Sequence, residues 1–550
     1  MKRSNTRILL AGLFAASAAL ILALHVLAAP DMLRHSADVA LQSEEPRTDA
    51  AVLAETSCRY GVGYVPHYAD SLAWIPTLGA GWYINFSAYS AGQDVRSASF
   101  APVIRVRQDQ NAAGGRLPTY KITPPLAFTY RDANGVLQEG LGSLISRNRG
   151  HYWLVGNEVD VNNQLQDNTM PDVYARAYHE VYDYIKKVDP TAKVAVAGLS
   201  MMTPGRLQYL TIVWDTYRAL YGQDMPVDIW NMHLYILEER LPGNVNDYGD
   251  GKIALGTNPA IAKLSSAGNA ALCPAVGSPD SASSDPRPDV ICRAEHDRVS
   301  IFREQVVAMR QWMKARGQQN KPLIISEFGL LYPYVFQNNA WFLLDEQGRP
   351  FDPPRVTKYL QETMNFLETA VDPALGYPID SNRLVQQWLW YSVVTNPSES
   401  GGSSNLISTN FASFAPGDAA ALTTMGQAFR QRTAANPGQS NLVGGVASNV
   451  ISLPNKATGK ATALLTATFR NAGTRSIIKP ITVTFYSDQA LTKVIGSATY
   501  DPVVRGAVTG CTWGNRNSNH VTVLWNNLPI GTHQYWVKVD SAGAIPEISE

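Results

Sequence analysis

Eight short apolar runs recur between residues 59 and 391, and most are followed by a loop or a helical pattern. That alternation restricts the fold more than any other feature of the chain. The runs are RYGVGYV (59–65), AGWYINF (80–86), PVIRVRQ (102–108), YWLVGNE (152–158), KVAVAGL (193–199), DIWNMHLY (228–235), PLIISEF (322–328) and VQQWLWY (385–391). Runs of this length read as buried strands. Strand and helix in alternation imply parallel strands with crossover helices. Eight such units in about 370 residues predict a closed (β/α)8 barrel with insertions, over residues 57–435. An open doubly wound sheet is the competing fold. No glycine-rich phosphate loop follows the first strand, which weighs against it.

The intervening helices are marked by their periodicity. Thr169-Met170-Pro171-Asp172 has the spacing of a capping box. Val173, Ala177, Val181 and Ile185 then recur every four residues beside Tyr174, Tyr178 and Tyr182, and Asp189-Pro190 ends the stripe. Residues 204–221, 299–316 and 354–368 repeat the pattern. A further helix over 417–434 closes the barrel region.

Two strands end in acids. The fourth finishes on Asn157 and Glu158, and the seventh on Glu327. In a barrel of this kind, side chains at the carboxyl ends of strands point into the active-site mouth. Glutamates on strands four and seven would face each other there. Hydrolysis of a glycosidic bond needs such a pair, one to protonate the leaving oxygen and one to attack the anomeric carbon or activate water.

These residues resemble the retaining glycoside hydrolases of clan A. The resemblance covers roughly residues 59–435. It implies that Glu158 is the general acid/base and Glu327 the nucleophile, and that Asn157 holds a sugar hydroxyl beside the bond being broken. Finer details resemble glycoside hydrolase family 128, a group of endo-β-1,3-glucanases: WYINF (82–86), VDIWNMHLY (227–235), KPLIISEFG (321–329) and a tryptophan closing strand eight, Trp390. The chain departs from that family in reading GNEVD where a proline tends to follow the glutamate. A long insertion, about 237–298, is a second departure.

Chemistry assigns further expectations. Glu158 must hold a proton and Glu327 must be ionised, so Glu327 needs hydrogen-bond donors. His233 and Tyr235 on the neighbouring strand six can supply them, although a buried histidine is as readily structural. Trp390, with Trp388, would form a stacking floor under the sugar, or one of them fills the core. Asn85 either touches sugar or braces its loop. Arg105 and Arg107 are expected to form ion pairs, and Asp160 reads as a loop acid. The mechanism requires no metal and no organic cofactor.

The compartment is legible at the amino terminus. Lys2, Arg3 and Arg7 precede an apolar run from Ile8 to about Ala29, the layout of an export signal that is also long enough for an anchor. Residues 1–29 are therefore expected to be a signal peptide or membrane anchor, and 30–56 a flexible leader. The rest of the chain is expected to be secreted or extracytoplasmic. Cys273 and Cys292 share one Pro/Ser/Gly-rich segment and are expected to form a disulfide, while the pairing of Cys58 and Cys511 is open. Lys+Arg and Asp+Glu are equal at 46 each, so no global field draws the chain to nucleic acid. The expected partner is a polysaccharide or oligosaccharide, and the 25 Tyr and 12 Trp suit sugar faces as well as cores.

After a linker at 436–442 the pattern changes. TALLTATFRN, PITVTFYSD, HVTVLWNN and HQYWVKVDS alternate with Gly, Asn and Pro turns, without helical patterns between them. Residues 443–550 are expected to form an all-β, immunoglobulin-like sandwich. TATFRNAGT, LPIGTHQYWVKVD and IPEISE resemble the CARDB modules of secreted bacterial proteins. That resemblance implies a spacer or adhesion element, and a module that usually runs a few residues past Glu550. Two function classes follow for the whole chain: a secreted retaining glycosidase, or a non-catalytic surface protein using the barrel as a carbohydrate-binding or structural platform.

Overall fold

Each of the eight apolar runs forms a strand in the computed structural model. They are β1 (Ser57–Gly63), β2 (Ala80–Ile84), β3 (Val103–Gln110), β4 (Tyr152–Asn157), β5 (Lys193–Gly198), β6 (Trp230–Leu234), β7 (Leu323–Phe328) and β8 (Gln387–Trp390). The structure describes residues 53–548, apart from 91–94, 96, 241–251, 268, 274–289, 334–343 and 512–518. The expected export segment and nearly all of the leader lie outside the described residues, as does Glu550. Among the described residues no helix is long and apolar enough to cross a membrane.

Pairing among these eight strands is parallel, as crossover connections require. One sheet runs β6-β7-β8-β1-β2 with the short strand Ser99–Phe100 parallel beside β2, and a second runs β3-β4-β5, with Arg116–Thr123 added antiparallel to β3. A single continuous closed ladder was expected, and the backbone instead divides into these two sheets. A lone parallel bridge, Ala195 to Ile229, joins β5 to β6. At the other seam Ala101 N–H donates to Tyr83 O at 2.8 Å and Val103 N–H to Ser87 O at 3.0 Å. The residue between them is Pro102, which has no amide hydrogen to offer β2. The inward faces of both sheets nevertheless share one apolar cluster that includes Trp82, Leu154, Ile229, Ile324 and Leu389.

Among the described residues the α-helices of about two turns or more are α1 (Leu141–Arg147), α2 (Pro171–Val188), α3 (Pro204–Tyr221), α4 (Val299–Ala315), α5 (Pro353–Thr369) and α6 (Thr424–Ala435). Their apolar stripes bury against the outward faces of the strands in one large core. The tyrosine row on α2 does more than fill space. Tyr174 donates its hydroxyl to Val155 O at 2.7 Å and accepts from Ala197 N–H at 2.8 Å, which ties β4 to β5. The expected capping box of α2 is absent. Met170 is the N-cap, and Thr169 instead donates its hydroxyl to Val106 O at 2.9 Å on β3. The same hydroxyl accepts from Gln108 N–H at 3.2 Å, so Thr169 ties the start of α2 to β3 in place of capping the helix.

Past α6 the chain forms β9 (Leu442–Ile451), β10 (Ala461–Asn471), β11 (Ile481–Tyr486), β12 (Val494–Tyr500), β13 (His520–Leu528) and β14 (Trp536–Lys538). Two antiparallel sheets, β9-β10-β13 and β12-β11-β14, share a core of residues such as Leu465, Phe469, Val483 and Phe485. This β unit is fixed to the amino end of β1. Ser57 bridges Arg475, Cys58 N–H donates to Thr474 O at 2.9 Å, and Ser476 N–H donates to Thr56 O at 2.8 Å. Cys58 and Cys511 form a disulfide across the same junction. The β unit therefore docks at the end of the parallel strands opposite the carboxyl ends of β4 and β7.

Candidate active site

Glu158 follows β4 directly and has the parity of Leu154, which faces inward. Its φ is 45°, a region non-glycine residues seldom adopt and which costs on the order of 1 kcal/mol. The bend is held from both sides, by Glu158 N–H donating to Gly198 O at 2.9 Å and Val161 N–H donating to Glu158 O at 3.2 Å. Asp167 braces the same turn. Its carboxylate accepts from Asn157 N–H and Val106 N–H, each at 2.8 Å, and from Arg105 Nε at 2.5 Å. Burial pulls the Asp167 carboxyl upward from its ordinary value, against Arg105 and the two amides.

Glu327 reaches the same space by a different device. Ile325 and Phe328 both face the helices, so simple alternation would not turn Glu327 inward. The register of β7 shifts between them: Met232 pairs with Ile325, and the next residue of β6, His233, pairs with Glu327. The extra residue is Ser326. A bulge of this kind re-aims the side chain beside it.

On β6, Trp230, Met232 and Leu234 face outward, which leaves His233 and Tyr235 facing in. His233 Nδ1 lies 3.1 Å from Glu158 Oε1 and 3.7 Å from Glu327 Oε2. Tyr235 donates its hydroxyl to Glu327 Oε1 at 2.5 Å. Burial, then the Glu327 carboxylate, pushes the Tyr235 hydroxyl well above its ordinary value, so it stays protonated and remains a donor. One oxygen from each glutamate and a ring nitrogen of His233 all lie within 4.8 Å of one another. All four side chains are buried, Glu327 least at 7% exposed. Gly198 makes room for this arrangement, because a Cβ there would sit 2.2 Å from His233 Cδ2.

Other expected site residues are placed elsewhere. Trp388 and Trp390 are fully buried on the helix side of β8, while Leu389 between them faces inward. Trp390 meets Phe328 edge-on at 5.2 Å and donates its indole N–H to Ser404 O at 2.8 Å. Neither ring is available as a stacking floor; the period of two that sends Leu389 inward sends both tryptophans out. Asn85 braces its own loop, donating to Tyr89 O at 2.8 Å and accepting from Ser87 N–H at 3.1 Å. Asn157 stands beside Glu158 and donates its Nδ2 to Gln166 Oε1 at 2.8 Å. Cys273 and Cys292 form a disulfide.

Sequence reasoning missed several residues. Asp160 lies in the turn after β4, as expected of a loop acid, but it carries more than a loop position. It is buried against Arg206, with Nε at 3.1 Å, and Arg206 also pairs with buried Glu239 at the start of the insertion. That network fixes the turn after Glu158 to α3. Tyr391, one residue past β8, shares the parity of Leu389 and lies 5.9 Å from Phe86, within electrostatic reach of Tyr235. Parity alone could have nominated it in place of Trp390.

Two comparisons with known proteins, against protein-family models and against curated proteins, find no match. Among solved structures the chain is similar to a GH128 (subgroup VII) oligosaccharide-binding protein from Cryptococcus neoformans. That match has 11% identity, covers 72% of this chain and 100% of that one, and has a TM-score of 0.35. A protein of the same description from Trichoderma gamsii matches at 9% identity, 68% and 94% coverage and a TM-score of 0.34. A GH128 (subgroup VI) exo-beta-1,3-glucanase from Aureobasidium namibiae matches at 8% identity, 68% and 96% coverage and a TM-score of 0.34. Identities of 8–11% and TM-scores of 0.34–0.35 do not carry those proteins' activities over to this chain.

Proposed function

We propose that the chain is an exported glycoside hydrolase that cleaves a β-linked polysaccharide with retention of configuration, and that its eight parallel strands act as a closed (β/α)8 barrel around the acidic pair. The observation that carries this reading is the closeness of the two carboxylates, with oxygens of Glu158 and Glu327 within 4.8 Å. Double displacement works with carboxyl groups about 5–5.5 Å apart, whereas inversion needs about 6.5–9.5 Å to admit a water. The sequence resemblance to family 128 favours a β-glucan, and β-1,3 linkages within that class. The two disulfides support an oxidising compartment.

The chemistry follows from the positions of the groups. Double displacement needs one proton on the pair, carried by Glu158, and an ionised Glu327. Glu158 gives that proton to the glycosidic oxygen as the bond from C1 to that oxygen breaks. Glu327, held by the Tyr235 hydroxyl, attacks C1 and forms a covalent glycosyl ester. Glu158, now ionised, takes a proton from water as the water oxygen attacks C1, and the Glu327 carboxylate leaves. His233 touches both acids and keeps them in register through both steps.

The test is hydrolysis of β-glucans, mannans and xylans by wild type, Glu158→Gln and Glu327→Gln, with the anomer of the first product read by NMR. Glu327→Gln is expected to fold and to lose activity by on the order of 10³-fold or more. The first product is expected to keep the β configuration. Equal activity in the variant, or an inverted product, would sink the mechanism. Glycan binding without hydrolysis by wild type would leave a non-catalytic barrel.

A further inference from the structure

Glu158, His233 and Glu327 also make a set of metal-ligand atoms. We infer that these three side chains bind one divalent transition-metal ion of the zinc class, and that the bound ion blocks cleavage of the sugar chain. Only the second half rests on the proposed hydrolase activity.

The distances carry the inference. In a tetrahedral zinc site with bonds of about 2.1 Å, neighbouring donor atoms stand about 3.4 Å apart. The His233 nitrogen stands 3.1 Å from Glu158 Oε1 and 3.7 Å from Glu327 Oε2, and the carboxylate oxygens complete the triangle within 4.8 Å. Small rotations of the carboxylates close the remaining gap. The donor types agree with the geometry. Two carboxylate oxygens and one imidazole nitrogen suit zinc and its neighbours, while calcium and magnesium favour six or more oxygens, including water. An outer-shell donor is already in place, since Tyr235 holds the other oxygen of Glu327. The second cluster with a comparable donor set, Cys273, Cys292 and Glu346, is no rival, because its sulfurs are joined in a disulfide.

Three protein ligands leave one coordination position for water or an incoming hydroxyl, as in sites open to ligands. Zinc there would hold the lone pairs that Glu327 needs for attack and displace the proton that Glu158 must deliver. Binding therefore competes with a proton, and affinity rises with pH.

The experiment uses the full chain stripped with EDTA. Equilibrium dialysis against Zn2+ at pH 7.5 and pH 5.0 gives stoichiometry and affinity, and Co2+ visible absorption gives a signal independent of activity. The expected result is one ion per chain, bound at least tenfold more weakly at pH 5.0, with loss of binding in His233→Asn and Glu158→Gln. Tyr235→Phe keeps all three ligands and is expected to weaken binding about 10–100-fold. Full hydrolysis in EDTA with inhibition by stoichiometric Zn2+ would complete the case. No saturable binding by wild type, or equal binding by folded His233→Asn, would overturn the metal site and leave the double displacement standing. Hydrolysis abolished by EDTA and restored by Zn2+ would uphold the metal site and overturn both the block of cleavage and the metal-free double displacement.

Discussion

The Tyr235 hydroxyl donates to Glu327 Oε1 at 2.5 Å, and both residues are buried at the junction of β6 and β7. A neutral donor aimed at a carboxylate favours its ionised form. Tyr235→Phe removes that donor and nothing else. Loss of a hydrogen bond to a charged group is worth about 1.5–3 kcal/mol, so kcat/KM is expected to fall roughly 10–150-fold. The protonated form of Glu327 gains ground in the variant, so the acid limb of the kcat/KM profile is expected to move to higher pH. A pH–rate series on both proteins checks this. An unmoved acid limb would mean that Tyr235 does not tune Glu327.

Trp390 and Trp388 give a second prediction, because their burial contradicts a role under the substrate. Trp390→Ala removes a fully buried side chain from the core between β8 and the helices. The expected loss is about 3–5 kcal/mol of stability. In whatever fraction stays folded at low temperature, KM is expected to remain within about twofold of wild type. Denaturant unfolding and KM measured together decide the matter. A large rise in KM with unchanged stability would restore the stacking role.

The strand–helix alternation was legible because burial on both faces of a parallel strand demands a continuous apolar run, and a half-buried helix demands a stripe. That is why α3, expected over 204–221, is found over Pro204–Tyr221. The strand ends were legible for the same reason, since Glu158 and Glu327 interrupt runs that are otherwise apolar. What alternation could not supply was direction. The bulge at Ser326 turns Glu327 inward against the parity set by Ile325, and no residue type marks it. Trp388 and Trp390 look like sugar platforms by chemistry and are core by parity, and Leu389 between them was the clue. The pairing of Cys58 with Cys511, 453 residues apart, depends on how two folded units meet, which periodicity does not encode.

That pairing yields a third prediction. The disulfide ties the amino end of β1 to the β unit, and a cross-link over so long a loop contributes about 6 kcal/mol in the chain-entropy account. Cys273–Cys292 closes a loop of 19 residues and contributes about 3 kcal/mol on the same account. Replacing Cys58 and Cys511 by serine is therefore expected to lower the denaturant midpoint more than replacing Cys273 and Cys292. Hydrolysis at low temperature is expected to persist in the Cys58/Cys511 variant, since Glu158 and Glu327 lie at the other end of the strands. Equal midpoints for that variant and wild type would show that the β unit does not brace β1.

His296 supplies the last prediction, and it concerns pH. Its Nδ1 lies 2.6 Å from Ile236 O, and its Nε2 accepts from Leu331 N–H at 2.8 Å. The ring thus joins the segment after β6 to the segment after β7, just beyond Tyr235 and Glu327. Accepting at Nε2 requires a neutral ring with its proton on Nδ1. Burial lowers the His296 pKa from 6.5 to about 4. The unfolded chain therefore binds a proton that the folded chain refuses between those values, so stability falls as pH falls through that window. The slope from this group is about 1.4 kcal/mol per pH unit, and below about pH 4 the contribution is lost. Unfolding free energies of wild type and His296→Gln, compared from pH 7 to pH 4, check the sign. The variant is expected to be less stable at pH 7 and to lose less on acidification. Parallel curves for the two proteins would show that His296 does not set this dependence.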